Sequence, residues 1–206
     1  MLGNYGRSVP QKLLTPVAKI LVKLHVTPNL VTSVGTLCAA AASIGFFGTG
    51  HLWVGAIVVA IVLFADSLDG ILARLAGNTS AFGAFLDSTL DRIADGAVFG
   101  ALLYWVIVGF DPSLARTIAI IAGIICMSAI SAVPYARARA ENIGVSAKIG
   151  IAERSDRLIV ILFCALIQDL SSLDWVLALG FVWVAFAALV TVGQRVWFTY
   201  RELARK

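Results

Sequence analysis

Asp66 and Asp69 close one long apolar run, and Asp87 and Asp91 open the next, in the stretches Ala65-Asp66-Ser67-Leu68-Asp69-Gly70 and Phe85-Leu86-Asp87-Ser88-Thr89-Leu90-Asp91. Helical residues three or four apart share a face, so each pair is expected to present its carboxylates to one side, and two antiparallel neighbouring helices would gather all four. Ionised carboxylates at that spacing repel, and acids near a bilayer are costly even singly, so the group needs a positive partner. An all-oxygen donor set suits a hard cation, Mg²⁺ or Mn²⁺, which retains some water and shares its remaining positions with substrate phosphate oxygens. A diphosphate substrate is the natural companion. Gly70 and Ala73 fall on the face of the first pair, and Gly83 lies four residues before Asp87, which leaves room for a bulky ligand although small residues also serve helix packing. A salt-bridge network with Arg74 and Arg92 is the competing structural explanation for the acids. Asp95 continues the four-residue series and is expected to be a structural partner rather than a ligand.

The elements that must hold these acids are membrane helices. The 206 residues are 60% hydrophobic and 14% charged, with a mean hydropathy of +0.92; ordinary soluble domains are roughly 45–50% apolar. Six runs approach the roughly 20 residues that a helix needs to cross a hydrocarbon core: Leu30–Gly48, Leu52–Leu75, Phe82–Phe110, Leu114–Tyr135, Asp156–Ile167 and Leu173–Trp197. They lack the alternation of barrel strands. Between Val9 and His25 the spacing of Leu13, Leu14, Val17, Ile20, Leu21 and Leu24 against Lys12, Lys19 and Lys23 predicts an amphipathic helix lying on the membrane surface. The expected fold is thus all-α: a single membrane domain over 1–206, with a juxtamembrane amphipathic helix in 1–28 and a six-helix transmembrane bundle in 29–200.

Alternate threading of those spans puts Arg7, Lys12, Lys19, Lys23, Arg74, Arg137, Arg139, Lys148, Arg154, Arg157, Arg201, Arg205 and Lys206 on one side or at its edge. The bias predicts a multi-pass protein of the cell membrane with both termini and the acids facing the cytoplasm. A net charge of +4 without aromatic interleaving or a base-reading motif argues against nucleic acid as a partner. Cys38, Cys126 and Cys164 fall within apolar runs without metal-ligand spacing and read as small core residues. No cleavable-signal pattern precedes Pro28, so Met1 to Pro10 is expected to be retained.

Asp66-x2-Asp69-Gly70-x2-Ala73-Arg74-x8-Gly83-x3-Asp87-x3-Asp91 resembles the full signature of the CDP-alcohol phosphotransferase (phosphatidyltransferase) family, with eight residue types fixed over 26 positions. The resemblance implies a six-helix membrane fold, a homodimer, and attack of an acceptor hydroxyl on the β-phosphorus of CDP-diacylglycerol with release of CMP. It implies Asp66, Asp69 and Asp87 as metal ligands and Asp91 as general base; the spacing alone leaves open Asp91 as a ligand to a second metal. Asn29, Thr32, Gly70, Ala73, Arg74 and Gly83 are the implied donor-binding residues. Thr27-Pro28-Asn29 is equally an ordinary helix start, with Thr27 as cap and Pro28 in the first turn.

The acceptor is read from basic residues. Arg137, Lys148, Arg154 and Arg157 fall in one cytoplasmic segment and Arg195 inside the last apolar run, where a cation must find an anion or reach the interface. Arginine clusters suit bidentate contact with a phosphorylated acceptor. The segment Gly150-Ile151-Ala152-Glu153-Arg154-Ser155-Asp156-Arg157 is similar to that of the actinobacterial phosphatidylinositol phosphate synthases within this family. That similarity implies inositol phosphate as acceptor, held by Arg137, Arg154 and Arg195 with Lys148 and Arg157; glycerol 3-phosphate, as in phosphatidylglycerophosphate synthases, is the alternative. A membrane prenyltransferase would share the Mg²⁺-binding acids but not the Gly-x2-Ala-Arg insertion. A transporter would spread its acids through the membrane depth instead of clustering them at one end.

Overall fold

The computed structural model describes residues 8–77 and 80–205. Lys206, counted above for sidedness, and residues 1–7 of the segment expected to be retained, Arg7 among them, lie outside the described residues. Among those described there is no strand. The helices are α1 (Ser8–Lys23), α2 (Pro28–Ala42, continued by a π-helical turn Ser43–Phe47), α3 (Leu52–Asp66), α4 (Leu68–Leu75), α5 (Ala81–Gly109), α6 (Leu114–Asn142), α7 (Arg154–Ser171) and α8 (Asp174–Leu203).

Among the described residues, five helical stretches are long and apolar enough to cross a bilayer: Pro28–Phe47, Leu52–Leu75, Ala81–Gly109, Leu114–Asn142 and Asp174–Leu203. Their starts fall close to the expected ones, whereas α6 and α8 run well past Tyr135 and Trp197, carrying Arg137, Arg139 and Arg201 on continuous helix. The fifth expected span is a helix too, but its 18 residues include Arg154, Asp156, Arg157 and Asp169. Large apolar side chains face outward along these helices, among them Ile121, Ile124, Phe163, Leu179, Phe186 and Leu189. Such surface is unfavourable in water and suits a hydrocarbon solvent.

The chain forms two compact units. One comprises the described part of Met1–Gly45 together with Ile57–Val98, and the other Phe46–Ala56 with the described part of Phe99–Lys206. In the first, α2 starts as its sequence requires: Thr27 is extended, its hydroxyl accepts from Leu30 N–H at 3.4 Å, and Pro28 occupies the first turn, where no N–H is needed. Helix α1 packs on α4 through Leu14, Ala18 and Leu21 against Leu68 and Ile71. Lys19 and Lys23 are exposed, as an amphipathic helix demands. His25, at φ 56°, ends that helix and turns the chain into α2.

In the second unit α6 and α8 pack along one another. Buried Ala115, Ala119, Ala122, Cys126, Ala129 and Val133 meet a stripe of Leu177, Phe181, Val184, Ala188, Thr191 and Arg195. Both stripes step by four and three residues, the rhythm of a helix seam, and the small residues let the backbones approach. The linker after α6 is seated by buried Val145, Ala147 and Ala152, with Phe198 packed on the first two. At Gly150 an added Cβ would stand 2.4 Å from Thr191 Cγ2, and φ is +151°, so both space and backbone require glycine. The next helix, α7, begins at a box in which Glu153 N–H donates to Asp156 Oδ2 at 3.0 Å. The three cysteines are free, and Cys126 alone of them is fully buried.

Candidate functional site

The second apolar run does not form one unbroken helix. Ser67 adopts a turn between α3 and α4, and its N–H donates to Phe64 O at 3.3 Å. Asp66 is therefore the last residue of α3 and Asp69 lies in the first turn of α4, so the face that an unbroken helix would give them is interrupted. Among the described residues Asp66, Asp87 and Asp91 each offer a carboxylate oxygen lying within 4.8 Å of the others. Asp87 and Asp91, four apart on unbroken α5, share a face as the spacing predicts.

Asp69 is held elsewhere. Thr32 Oγ1 donates to Asp69 Oδ2 at 2.6 Å, and Gly70 N–H donates to Asp69 Oδ1. A hydroxyl has a single proton, and the 2.6 Å contact with a carboxylate outcompetes the 3.0 Å contact from the same oxygen to Pro28 O. Asp69 and Asp87 both line a cavity of about 220 Å³, together with Pro28, Asn29, Thr32, Gly70, Ala73, Arg74, Ser80, Gly83 and Ala84. All six donor-binding candidates are in that wall. Arg74 is exposed and makes no ion pair among the described residues. At Gly70 an added Cβ would meet only Arg74 Nη1, at 3.9 Å, so the protein itself would tolerate alanine there and the vacant space belongs to the cavity. Gly83 is tighter: its N–H donates to Ser80 Oγ at 2.9 Å, and an added Cβ would come within 3.2 Å of Asn29 Oδ1.

Arg92 approaches Asp91 at 3.5 Å and buried Asp95 at 3.6 Å. The competing salt-bridge explanation thus holds for Asp95, which is a structural partner as expected, and reaches Asp91. The convergence of Asp66 and Asp87 on Asp91 is a separate feature, the one that suits a cation. Another cavity, apolar and about 410 Å³, is lined by Val26, Leu30, Val34, Cys38, Ile61 and Val62 together with Gly35, Ala65 and Asp66.

A three-carboxylate oxygen cluster, a cavity whose lining includes Asp69, Asp87 and the guanidinium of Arg74, and an apolar cavity lined in part by Asp66 together suit a metal-assisted reaction at a lipid diphosphate. A family model described as CDP-alcohol phosphatidyltransferase matches residues 25–192. The chain belongs to the CDP-alcohol phosphatidyltransferase family. The phosphatidylinositol phosphate synthase of Mycolicibacterium smegmatis is 41% identical over 193 residues, covering 92% of this chain and 85% of that protein. A crystal structure of the Mycobacterium tuberculosis phosphatidylinositol phosphate synthase with manganese and citrate superposes with a TM-score of 0.84 at 37% identity, covering 91% of this chain and 88% of that one. A second structure of the same enzyme, with CDP-DAG bound, gives a TM-score of 0.84 at 36% identity, over 92% of this chain and 94% of the other.

The basic residues singled out for the acceptor of this phosphatidyltransferase lie in the second unit, in differing surroundings. Arg137 is half-exposed and pairs with Glu141 at 2.9 Å on α6. Lys148 is exposed, Arg154 partly buried, and Arg157 2% exposed. Arg195 is buried: its Nε donates to Ile149 O at 2.9 Å and its Nη1 to Val133 O. It answers the cost of a cation in an apolar helix with backbone carbonyls of the linker and of α6, and Arg137, Glu141 and Glu153 supply the charges acting on it. Two neighbours of the acids, Gly35 and Ser80, were not singled out from the sequence. Ser80 follows an ordinary cap pattern, Ser three residues before the N–H it serves, from which it was readable.

Proposed function

We infer that this chain is a phosphatidylinositol phosphate synthase, transferring the phosphatidyl group of CDP-diacylglycerol to inositol phosphate with release of CMP. The observation that carries the reading is the meeting of Asp66, Asp87 and Asp91 beside the cavity lined by Asp69, Gly70, Ala73 and Arg74. The acceptor is supported by the shared name of the relatives and by the Arg-rich segments of the second unit.

The all-oxygen donor set fits a hard divalent cation, with Asp66, Asp69, Asp87 and Asp91 as the residues to hold Mg²⁺ or Mn²⁺. When bound, such an ion supplies charge neutralisation at the diphosphate and eases departure of CMP. The chain's own residues do the rest. The open space at Gly70 and the small side chain of Ala73 admit the donor's nucleotide, and the unpaired guanidinium of Arg74 faces its phosphates. Asn29 and Gly83 close the opposite wall, while Thr32 fixes Asp69. The apolar cavity that Asp66 helps to line takes the hydrocarbon end of the donor. Asp91 accepts the proton of the acceptor hydroxyl as its oxygen forms the new bond to the β-phosphorus and the bond from that phosphorus to CMP breaks. Arg137, Lys148, Arg154 and Arg157 bind the acceptor's phosphate, with Arg195 completing that group.

In the membrane α7 serves as a sixth span, since its 18 residues extend about 27 Å and its charges sit near its ends. Helix α1 lies along the inner surface, both termini and the acids face the cytoplasm, and the enzyme is a homodimer. The deciding experiment supplies purified protein with CDP-diacylglycerol and Mg²⁺, offering inositol phosphate, free inositol and glycerol 3-phosphate separately. CMP release with inositol phosphate is expected; release with glycerol 3-phosphate alone overturns the acceptor.

A further inference from the structure

Gly35 lies on α2 three residues after Thr32, on the same helix face. A Cβ built on it would stand 2.7 Å from Asp66 Oδ1, 3.7 Å from Cγ and 4.0 Å from Cβ of the same residue. Carbon and oxygen approach to about 3.3 Å even in favourable weak contacts. The Asp66 carboxylate therefore occupies space that any other residue at position 35 would fill. Aspartate is short, and the clash falls on its terminal atoms. Turning the carboxylate away would move both of its oxygens, one of which lies within 4.8 Å of oxygens of Asp87 and Asp91.

We propose that Gly35 is a positioning residue for the metal centre, its bare Cα being the seat that keeps Asp66 aimed at Asp87 and Asp91. The proposal rests on reading those acids as a metal site. Position 35 lies within α2, where glycine is a poor helix former and no turn calls for it. Of the other glycines near the acids, Gly70 meets Arg74, Gly83 meets Ser80 and Asn29, and Gly96 meets nothing, so the contact with a carboxylate is particular to Gly35 among the described residues. One face of α2 thereby sets both acids that flank the Ser67 turn: Thr32 holds Asp69 through a hydrogen bond, and Gly35 admits Asp66 by leaving space.

The test is a Mn²⁺ titration of the full chain in lipid nanodiscs, followed by the electron paramagnetic resonance signal of free Mn²⁺, with thermal unfolding measured in parallel. Gly35→Ala is expected to weaken Mn²⁺ binding at least tenfold. Gly45→Ala, where an added Cβ meets nothing within 4 Å, is expected to leave binding within twofold of the parent. A folded Gly35→Ala protein binding Mn²⁺ as the parent does overturns the role of Gly35. A parent that takes up no Mn²⁺ overturns the metal reading beneath it, a distinct outcome. Should Gly35→Ala fail to fold, the Asp66→Ala background decides, because the obstructed carboxylate is gone: Gly35→Ala is then expected to leave the unfolding midpoint of Asp66→Ala unchanged, and equal failure in both backgrounds overturns the proposal.

Discussion

Gly70→Ala separates what the protein needs from what its ligand needs. The added methyl meets only Arg74 Nη1 at 3.9 Å, an ordinary contact distance, so folding incurs no steric cost. Alanine is the better helix former by up to about 1 kcal/mol, and residue 70 lies within α4, so the apo protein is expected to be as stable as the parent or slightly more so. The same methyl projects into the 220 Å³ cavity where the nucleotide is proposed to lie. Forcing an extra carbon into a well-packed contact costs about 1–3 kcal/mol, which corresponds to CDP-diacylglycerol binding about 5- to 150-fold more weakly. The measurement pairs an unfolding midpoint without ligand with the KM for CDP-diacylglycerol and a direct CDP-binding titration. A rise in KM with an unchanged or raised midpoint is expected. A midpoint several degrees lower, or donor binding within twofold of the parent, refutes the reasoning, because the first would make Gly70 a packing residue and the second would place the nucleotide elsewhere.

Three further outcomes follow from the geometry. Thr32→Val removes the hydroxyl proton that Asp69 accepts at 2.6 Å; a hydrogen bond to a charged group is worth about 1.5–3 kcal/mol, so turnover is expected to fall roughly tenfold or more, with Thr32→Ser restoring most of it in a CMP-release assay. Arg195→Met strips donors from Val133 O and Ile149 O in a buried setting and is expected to cost about 2–4 kcal/mol, read as a lower unfolding midpoint and faster amide exchange in 144–152, whereas Arg137→Ala breaks only a half-exposed pair with Glu141, leaves the midpoint in place and raises the KM for inositol phosphate. Thorough chelation is expected to abolish CMP release and either Mg²⁺ or Mn²⁺ to restore it; activity persisting after chelation refutes the metal site.

Much of the architecture is legible from hydropathy because a bilayer requires uninterrupted apolar helices, and chain composition records that demand directly. What hydropathy did not show is where helices continue past the apolar region. Arg137 and Arg139 look like loop residues because they are polar, yet nothing in Ala136 to Asn142 stops a helix, and α6 runs on until Ile143 and Gly144 turn the chain. Arg195 was legible in another way. Stepping by four and three from Leu177 through Phe181, Val184, Ala188 and Thr191 arrives at residue 195, so the seam itself places that guanidinium inward. A cation delivered to a buried seam takes the nearest acceptors, here two backbone carbonyls, and this is why Arg195 ties the linker to α6 before it can serve any ligand.

The acids mark the limit of spacing arguments. Asp87 and Asp91 behave as a four-residue helical pair because Leu86 to Leu90 contain nothing that breaks a helix. Asp66 and Asp69 carry an equally plain spacing, but the turn at Ser67 falls between them and sends one carboxylate to Asp87 and Asp91 and the other to Thr32. Serine favours turns and caps because its side chain competes for backbone groups, yet a lone serine inside an apolar run is a weak signal, and no periodicity registers a break of one residue. The partners that settle the matter, Thr32 and Gly35, lie more than 30 residues earlier in the chain, and one of them acts only through the side chain it lacks. Sequence spacing therefore singles out acids that the fold brings near one another, while where each carboxylate goes is set by the face of a different helix.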